Sequence, residues 1–243
     1  MVAETQPWFA PWNFDCLRLL FTLLPHTSRG VNLADFLQEN HLIATWIYGA
    51  VSYVYWSRQN DHTSQRRVQL LRIVAAFVLA MIMAAFLDLK VHWAAPARTA
   101  GFQSLFPPYL WGYGTSNSFP SHSTLAYLIV SIGLLRLNKA VGLLLVPYTL
   151  LFITLPRVYV GGHYPIDVVA SILLSLLALS LIDLLLSDSR VITYFERASA
   201  AGQVSDVMFF LWLYEVAEGF RSAEDAVHAV VKVLTYHGAA PFL

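Results

Sequence analysis

The stretch from Val68 to Leu87 reads VQLLRIVAAFVLAMIMAAFL and decides the fold class. Only Gln69 and Arg72, both near its start, interrupt this apolar run. A run of about 20 apolar residues is what an α-helix needs to cross the hydrocarbon core of a bilayer. The stretch therefore predicts a transmembrane helix.

Further apolar runs lie on both sides of this one. Three resemble it in composition: Leu125–Leu135, Ala140–Leu155 and Val168–Leu186. The run His41–Tyr55 is shorter and rich in Trp and Tyr, which concentrate at membrane interfaces. The segment Trp8–Leu24 also contains Pro, Asn, Asp and Arg, so a sixth span and a helix lying on the membrane surface both remain open. We expect an all-α, polytopic membrane helix bundle with five to six transmembrane helices.

The composition agrees with a chain that is mostly embedded in a bilayer. Of the 243 residues, 57% are hydrophobic and 12% are charged, whereas soluble domains carry about 25% charged residues. Fifteen basic and fifteen acidic residues give no net charge, which excludes the broad basic surface of a nucleic-acid-binding protein. The apolar content excludes a disordered chain, and the single cysteine, Cys16, excludes a disulfide scaffold. We expect the lipid bilayer as a partner; a protein partner cannot be named.

Basic residues in the loops predict the orientation, because cytoplasmic loops carry an excess of Lys and Arg. One set of loops, expected to be cytoplasmic, contains Arg58, Arg66, Arg67, Arg72, Arg136, Lys139, Arg190 and Arg197. The other side has few basic residues besides Arg29, namely Lys90, Arg98 and Arg157. We expect residues 1–190 to form the transmembrane domain. Residues 191–243 would form a cytoplasmic tail of short amphipathic helices, with a capping box at Ser222–Asp225.

Polar residues recur at the helix ends expected on the extracytoplasmic side. Lys90 follows one span, Ser118–His122 opens the next, Arg157 closes the span after that, and His163 with Asp167 opens the last. Four helix ends can therefore bring these residues into one pocket. A basic side chain near a membrane has explanations of its own, such as snorkelling to lipid headgroups. Together, however, these residues depart from the low basic content of their side, which favours a functional site.

A phosphate group is the natural ligand of such a pocket. Lys90, Arg98 and Arg157 are costly near a membrane unless they are paired, and no cluster of acids is available for all three. Guanidinium groups bind phosphate in a bidentate manner and Lys binds it as a point charge. A helix that starts at Pro120-Ser121 adds backbone N–H donors.

His163 and Asp167 are four residues apart and can share one face of a helix. A carboxylate that fixes one imidazole nitrogen makes the other a better nucleophile, so attack on phosphorus would give a phosphohistidine that water hydrolyses. The other His residues lack closely placed Asp, Glu or Cys partners, so we expect neither a metal site nor a cofactor.

The segment from Arg157 to Asp167, RVYVGGHYPID, resembles the third motif of the type-2 phosphatidic acid phosphatase family: Arg, five residues, His, three residues, Asp. Pro120-Ser121 resembles the start of the second motif, Pro-Ser-Gly-His. Lys90 and Arg98 resemble the first motif, Lys, six residues, Arg-Pro. The resemblance implies a metal-independent lipid phosphatase in which His163 is the nucleophile and Asp167 orients it. It also implies that Lys90, Arg98, Ser121 and Arg157 bind the phosphoryl group.

Two motifs depart from the family pattern. Seven residues separate Lys90 from Arg98, and Thr99 stands where Pro is expected. The second motif is one residue short: with a gap His122 is the general acid, and without one Ser123 takes that position. A pyrophosphate substrate would need the acid less, because phosphate leaves more easily than an alkoxide.

We therefore expect an integral membrane lipid phosphatase of a bacterial inner membrane, with its active site facing the periplasm or cell exterior. Candidate substrates are undecaprenyl pyrophosphate, phosphatidylglycerol phosphate, phosphatidic acid and a lipid A phosphate. Two alternatives stay open: a phosphotransferase that uses the same phosphohistidine, and a catalytically silent relative that binds lipid phosphates. The aromatic loop before the second motif is interpreted as an interfacial belt or as a lid that admits a lipid chain.

Overall fold

The computed structural model describes residues 10–57, 63–186 and 203–235, and all regular structure within these ranges is helical. The α-helices are α1 (Ala10–Leu23), α2 (Ser28–Glu39), α3 (His41–Ser57), α4 (Thr63–Asp88), α5 (Ala100–Gln103), α6 (His122–Leu137), α7 (Lys139–Tyr148), α8 (Leu155–Tyr159), α9 (Pro165–Leu185), α10 (Gln203–Ala217) and α11 (Arg221–Thr235). The protein is an all-α membrane bundle, as the sequence predicts.

Three helical segments are long and apolar enough to cross a membrane: Gln65–Asp88, Lys139–Tyr159 and Pro165–Leu185. Helix α6, His122–Leu137, is a shorter apolar helix. By length and composition, the described part of the chain thus supports three to four spans, where the sequence predicts five to six.

The centre of the bundle is the mutual packing of α4, α6 and α9. The face that α4 turns inward is lined by alanines without solvent exposure, among them Ala76, Ala80 and Ala84. On α9, the hydroxyls of Ser171 and Ser175 donate hydrogen bonds to backbone carbonyls of the α6 segment. Small residues let membrane helices approach closely, and hydroxyl groups join them by hydrogen bonds. These contacts fix the positions of the three helices relative to one another along the bundle axis.

Charged side chains join the same three helices at one end of the bundle. Asp183 of α9 pairs with Arg136 of α6 and lies 4.0 Å from the Arg72 guanidinium of α4. The opposite end contains the end of α4 and the starts of α6 and α9. The chain therefore alternates in direction, and the candidate residues at Asp88–Lys90, Ser118–His122 and His163–Asp167 lie at one end.

The span Lys139–Tyr159 is a continuous helix with a π-helical segment, Thr149–Thr154, between α7 and α8. The Thr149 hydroxyl donates a hydrogen bond to the Leu145 carbonyl and lies 2.7 Å from the Tyr48 hydroxyl and 2.8 Å from that of Ser131. π-helical turns occur frequently near functional sites. Here the segment immediately precedes the turn of helix that carries Arg157.

The N-terminal segment with two open interpretations forms α1, a helix of 14 residues. At 1.5 Å per residue it is about 21 Å long, short of the roughly 30 Å hydrocarbon core. Its buried Asn13 accepts a hydrogen bond from the backbone N–H of Ile166, and Phe14 and Phe21 contact Phe102 and Phe106 of the outer loop. These contacts with the start of α9 and with the loop between α4 and α6 favour the surface helix over a sixth span.

The loop between α4 and α6 folds onto the turn that follows α8. The N–H of Ala97 donates to the Gly161 carbonyl, and the N–H of Gly112 donates to the Ala97 carbonyl. Phe102 and Phe106 are buried, whereas Tyr109 and Trp111 are exposed. The aromatic residues of the loop thus divide between a small core and an exposed apolar surface.

Helices α10 and α11, which belong to the predicted C-terminal tail, pack against the bundle. Phe209 stacks on Trp56 with 4.3 Å between the ring centroids. Phe220 is 1% exposed and contacts Phe77 and Tyr127. Residues 191–202 and 236–243 lie outside the described ranges. The division at residue 190 and the cytoplasmic position of the tail stay predictions, but α10 and α11 share the core of the other helices.

Replacement of Gly161 by Ala should destabilise the protein more than replacement of Gly112. Both glycines have positive φ, +81° and +86°, so both substitutions incur about 1–2 kcal/mol of backbone strain. A Cβ on Gly161 would lie 2.7 Å from Ala97 and Phe106, whereas one on Gly112 has nothing within 4 Å. Overpacking adds about 1–3 kcal/mol. The thermal midpoint in detergent should fall further for Gly161→Ala; equal midpoints would contradict the packing of the loop on this turn.

Candidate active site

His163 is held by the chain segment that opens the second motif. Its Nδ1 lies 2.9 Å from the backbone carbonyl oxygen of Ser118. A carbonyl oxygen can only accept a hydrogen bond, so Nδ1 must carry the proton. In the neutral imidazole, Nε2 is then the nitrogen with the free electron pair. The geometry therefore prepares Nε2 of His163 as a nucleophile.

Asp167 lies beside His163, as their spacing of four residues predicts, and it also contacts the backbone of the turn between them. Its side chain is fully buried, and its Oδ2 accepts a hydrogen bond of 2.8 Å from the backbone N–H of Tyr164. The same oxygen lies 3.6 Å from Nδ1 of His163, which is an ion-pair distance and too long for a hydrogen bond. The carboxylate thus braces the turn between His163 and α9, while the Ser118 carbonyl orients the imidazole.

His122, the first residue of α6, is mostly buried, and its Nδ1 lies 3.1 Å from a carboxylate oxygen of Glu224 on α11. The sequence left His122 and Ser123 open as the general acid. The structure gives His122 a carboxylate partner, an arrangement that favours a protonated imidazole. The role of His122 as the acid stays a prediction.

Ser121 lies at the predicted helix start, but its hydroxyl is directed into the bundle. It is fully buried and donates a hydrogen bond of 2.9 Å to the Thr124 hydroxyl, which in turn contacts the Thr154 hydroxyl. Its carbonyl accepts from Ser171. In this conformation Ser121 joins α6 to its neighbours, and its role in binding a phosphoryl group stays a prediction.

Arg157 lies half-buried on α8 and donates a hydrogen bond to the Ile153 carbonyl. Its guanidinium interacts electrostatically with Tyr127 and Tyr113 and with two residues of α11, Arg221 and Glu224. Arg157 and His122 therefore share Glu224 as a neighbour.

The two residues of the first motif are more exposed. Lys90 follows the end of α4, and Arg98 ends a short 3₁₀ turn and donates to the Gly114 carbonyl over 2.9 Å. Among the described residues, no hydrogen bond or ion pair joins either side chain to His163. Thr99, in place of the family's Pro, accepts a hydrogen bond from the Tyr164 hydroxyl and so ties this loop to the third motif.

A groove of about 400 Å³ lies beside α8, on the side of the bundle formed with α2. Its walls are mostly apolar and are formed by Leu24, Pro25, Thr27, Gly30, Leu33, Ala34, Leu37, Leu151, Phe152, Leu155, Pro156 and Tyr159. Leu155 and Pro156 immediately precede Arg157 in the chain. The groove can accommodate a hydrocarbon chain next to the segment that carries a phosphate-binding candidate.

Acidic and histidine side chains are sparse around this site. Within residues 10–57, 63–186 and 203–235, no group of three His, Cys, Asp or Glu side chains could hold a metal ion.

Sequence reasoning missed three contributors to the site. The Ser118 carbonyl and the Tyr164 N–H are backbone groups, which residue identity does not reveal. The sequence places Glu224 in a separate C-terminal tail. Because Glu224 is far from His122 in the sequence, no helical periodicity indicates that the two residues are in contact.

Two bacterial proteins are similar to this chain over about two thirds of its length. The undecaprenyl-diphosphatase BcrC of Bacillus subtilis (strain 168) is 25% identical over 165 residues, which cover 68% of this chain and 79% of that protein. The bacitracin transport permease protein BcrC of Bacillus licheniformis is 26% identical over 171 residues, covering 70% and 78%. No family model and no solved structure matches the chain. The chain is thus an integral membrane protein with distant bacterial relatives, one of which is named as a lipid diphosphatase.

Proposed function

We propose that this protein is a membrane phosphatase that hydrolyses a lipid pyrophosphate or lipid phosphate through a phosphohistidine on His163. One observation carries the proposal: the hydrogen bond from Nδ1 to the Ser118 carbonyl makes Nε2 of His163 the nucleophilic nitrogen. The spacing of Arg157, His163 and Asp167 supports it, because it matches the third motif of the type-2 phosphatidic acid phosphatases. We further propose that the site faces the outside of a bacterial inner membrane.

The reaction proceeds in two displacements. Nε2 of His163 attacks the terminal phosphorus, an N–P bond forms, and the bond from phosphorus to the leaving oxygen breaks. That oxygen takes a proton from His122, or leaves unprotonated when it belongs to a phosphate. Water then attacks the phosphohistidine, the N–P bond breaks, and inorganic phosphate is released. Arg157, Lys90 and Arg98 neutralise the phosphoryl oxygens.

Among the candidate substrates, we propose undecaprenyl pyrophosphate first. The similarity to a protein named undecaprenyl-diphosphatase supports this choice. The shortened second motif agrees with it, because a phosphate leaving group depends less on a general acid. We propose that the lipid chain binds in the apolar groove lined by Leu155, Pro156 and Tyr159 of α8.

Phosphate release from undecaprenyl pyrophosphate by the detergent-purified protein should persist in EDTA. His163→Ala should lower it by about 10³-fold or more, because the nucleophile is lost. His92→Ala, which alters an exposed histidine of the outer loop, is the control and should keep the wild-type rate. Loss of release in EDTA would contradict the metal-independent mechanism. If the phosphoryl group leaves the substrate only when a lipid or sugar acceptor is added, the protein is a phosphotransferase. If the substrate binds without turnover, the protein is a catalytically silent relative.

His122→Ala should slow an alkyl phosphate monoester more than a lipid pyrophosphate. General acid catalysis contributes about 10²–10⁴-fold, and an alkoxide leaving group needs that proton more than phosphate does. Ser123→Ala is the matched comparison, since Ser123 is the other residue that the sequence allows as the acid. A selective loss in Ser123→Ala, with His122→Ala unaffected, would reverse the assignment.

Leu151→Trp should raise the KM for long-chain substrates and leave that for a short-chain phosphate unchanged, because the larger side chain fills the groove. Leu143→Trp is the control: Leu143 is 68% exposed and Leu151 55%, and only Leu151 lines the groove. The ratio of the KM values for the two chain lengths checks the prediction. An equal ratio in both variants would place the lipid chain elsewhere.

A further inference from the structure

The contact between His122 and Glu224 joins two distant parts of the chain. Glu224 lies in the first turn of α11, and its carboxylate oxygen is 3.1 Å from Nδ1 of His122 at the start of α6. The side chain of His122 is 14% exposed and that of Glu224 is 32% exposed. The pair is therefore partly shielded from water, where a charged contact is stronger than on an open surface.

We propose that Glu224 is a positioning residue of the reaction, which holds His122 in the orientation and protonation state of a general acid. The inference rests on the proposed function, and it makes the first turn of α11 part of the active site. Residues 221–224 would then lie at the catalytic end of the bundle, in place of the wholly cytoplasmic tail expected from composition.

The two histidines have partners suited to opposite roles. His163 donates its Nδ1 hydrogen bond to the Ser118 carbonyl, and the Asp167 carboxylate oxygen lies at 3.6 Å, beyond hydrogen-bond distance, so that Nε2 is the ring nitrogen left for nucleophilic attack. Nδ1 of His122 faces a carboxylate at hydrogen-bond distance, which favours the protonated imidazole that an acid requires. With Nδ1 engaged by Glu224, the proton that His122 transfers is the one on Nε2. We assign the nucleophile and the acid from these different hydrogen-bond partners, and the assignment does not use the spacing of the second motif.

Charges on neighbouring elements do not replace Glu224 in this role. The other acidic group that acts on His122 is Asp88, at the end of α4. Asp88 accepts hydrogen bonds from the side-chain amide of Asn117 through both its backbone and its carboxylate oxygens. The charge of Glu224 also acts on Arg157, a proposed phosphate-binding cation.

The backbone around Glu224 is fixed by packing. Phe220, at the turn before α11, is buried among Phe77, Tyr127 and Trp212. The N–H of Glu224 donates to the Phe220 carbonyl, and the N–H of Ala223 donates to the Glu215 carboxylate. The carboxylate thus approaches His122 from a rigid support, as a positioning group requires.

The test compares Glu224→Gln with Asp225→Asn in the full-length purified protein. Both variants remove one negative charge from adjacent positions of α11, but only the first alters the partner of His122. Each is assayed with an alkyl phosphate monoester, whose alkoxide needs a proton to leave, and with p-nitrophenyl phosphate, whose phenolate does not.

We expect Glu224→Gln to lower kcat for the alkyl ester by about 10–100-fold and to change kcat for p-nitrophenyl phosphate by less than about threefold. Asp225→Asn should change neither. Combined with His122→Ala, Glu224→Gln should cause no further loss, because both substitutions remove one function. Equal losses on the two esters, or additive losses in the double variant, would overturn the inference.

Failure of the inference and failure of the proposed function give different results. If the wild type releases phosphate and His163→Ala does not, while Glu224→Gln behaves as Asp225→Asn, the inference alone is wrong. If the wild type releases no phosphate from any ester or lipid, both are wrong. ¹⁵N NMR of histidine-labelled protein reports the pair independently: Glu224→Gln, unlike Asp225→Asn, should shift the Nδ1 and Nε2 resonances of His122, and unchanged resonances would overturn the contact itself.

Discussion

Close packing of α4, α6 and α9 is the constraint on which the end of the bundle with the candidate active site depends. Alanines on α4 and serines on α9 allow the helices to approach, and the serine hydroxyls fix their relative height through carbonyls of α6. Bulky side chains at these positions would separate the helices and move their ends apart. The contact of His163 with the Ser118 carbonyl exists because the starts of α6 and α9 are held at one level.

The two histidines of the candidate site built on this packing have different neighbouring groups. A backbone carbonyl orients one histidine and a carboxylate from a distant helix faces the other. Asp167, the expected partner of His163, mainly stabilises the turn at the start of α9 through the Tyr164 N–H. The two histidines thus have different partners, and differences of this kind are the usual means by which proteins tune acids, bases and nucleophiles.

Much of the fold and part of the site could be predicted from the sequence. Apolar runs such as Val68–Leu87 predict the spanning helices, because the bilayer imposes a length on them. The alternation of those helices brings Ser118–His122 and His163–Asp167 to one end. The contact between Glu224 and His122 could not be predicted, because no local sequence pattern indicates it. The tertiary packing of Phe220 brings α11 close to α6. The orientation of Ser121 was missed for a related reason: its hydroxyl has a partner in Thr124 inside the bundle.

The charged cluster of Arg72, Arg136 and Asp183 has a consequence for assembly during synthesis. The two arginines belong to α4 and α6, which are made first, and their shared carboxylate arrives on α9, the last of these three helices. Until α9 inserts, two cations at the membrane boundary have no common counter-ion, so the early helices remain free to adjust. Insertion of α9 brings Asp183 to one end and Asp167 to the other in a single event. The pairing of these charges at one end of α4, α6 and α9 and the contact of His163 with the Ser118 carbonyl at the other end are therefore formed in one step of biogenesis.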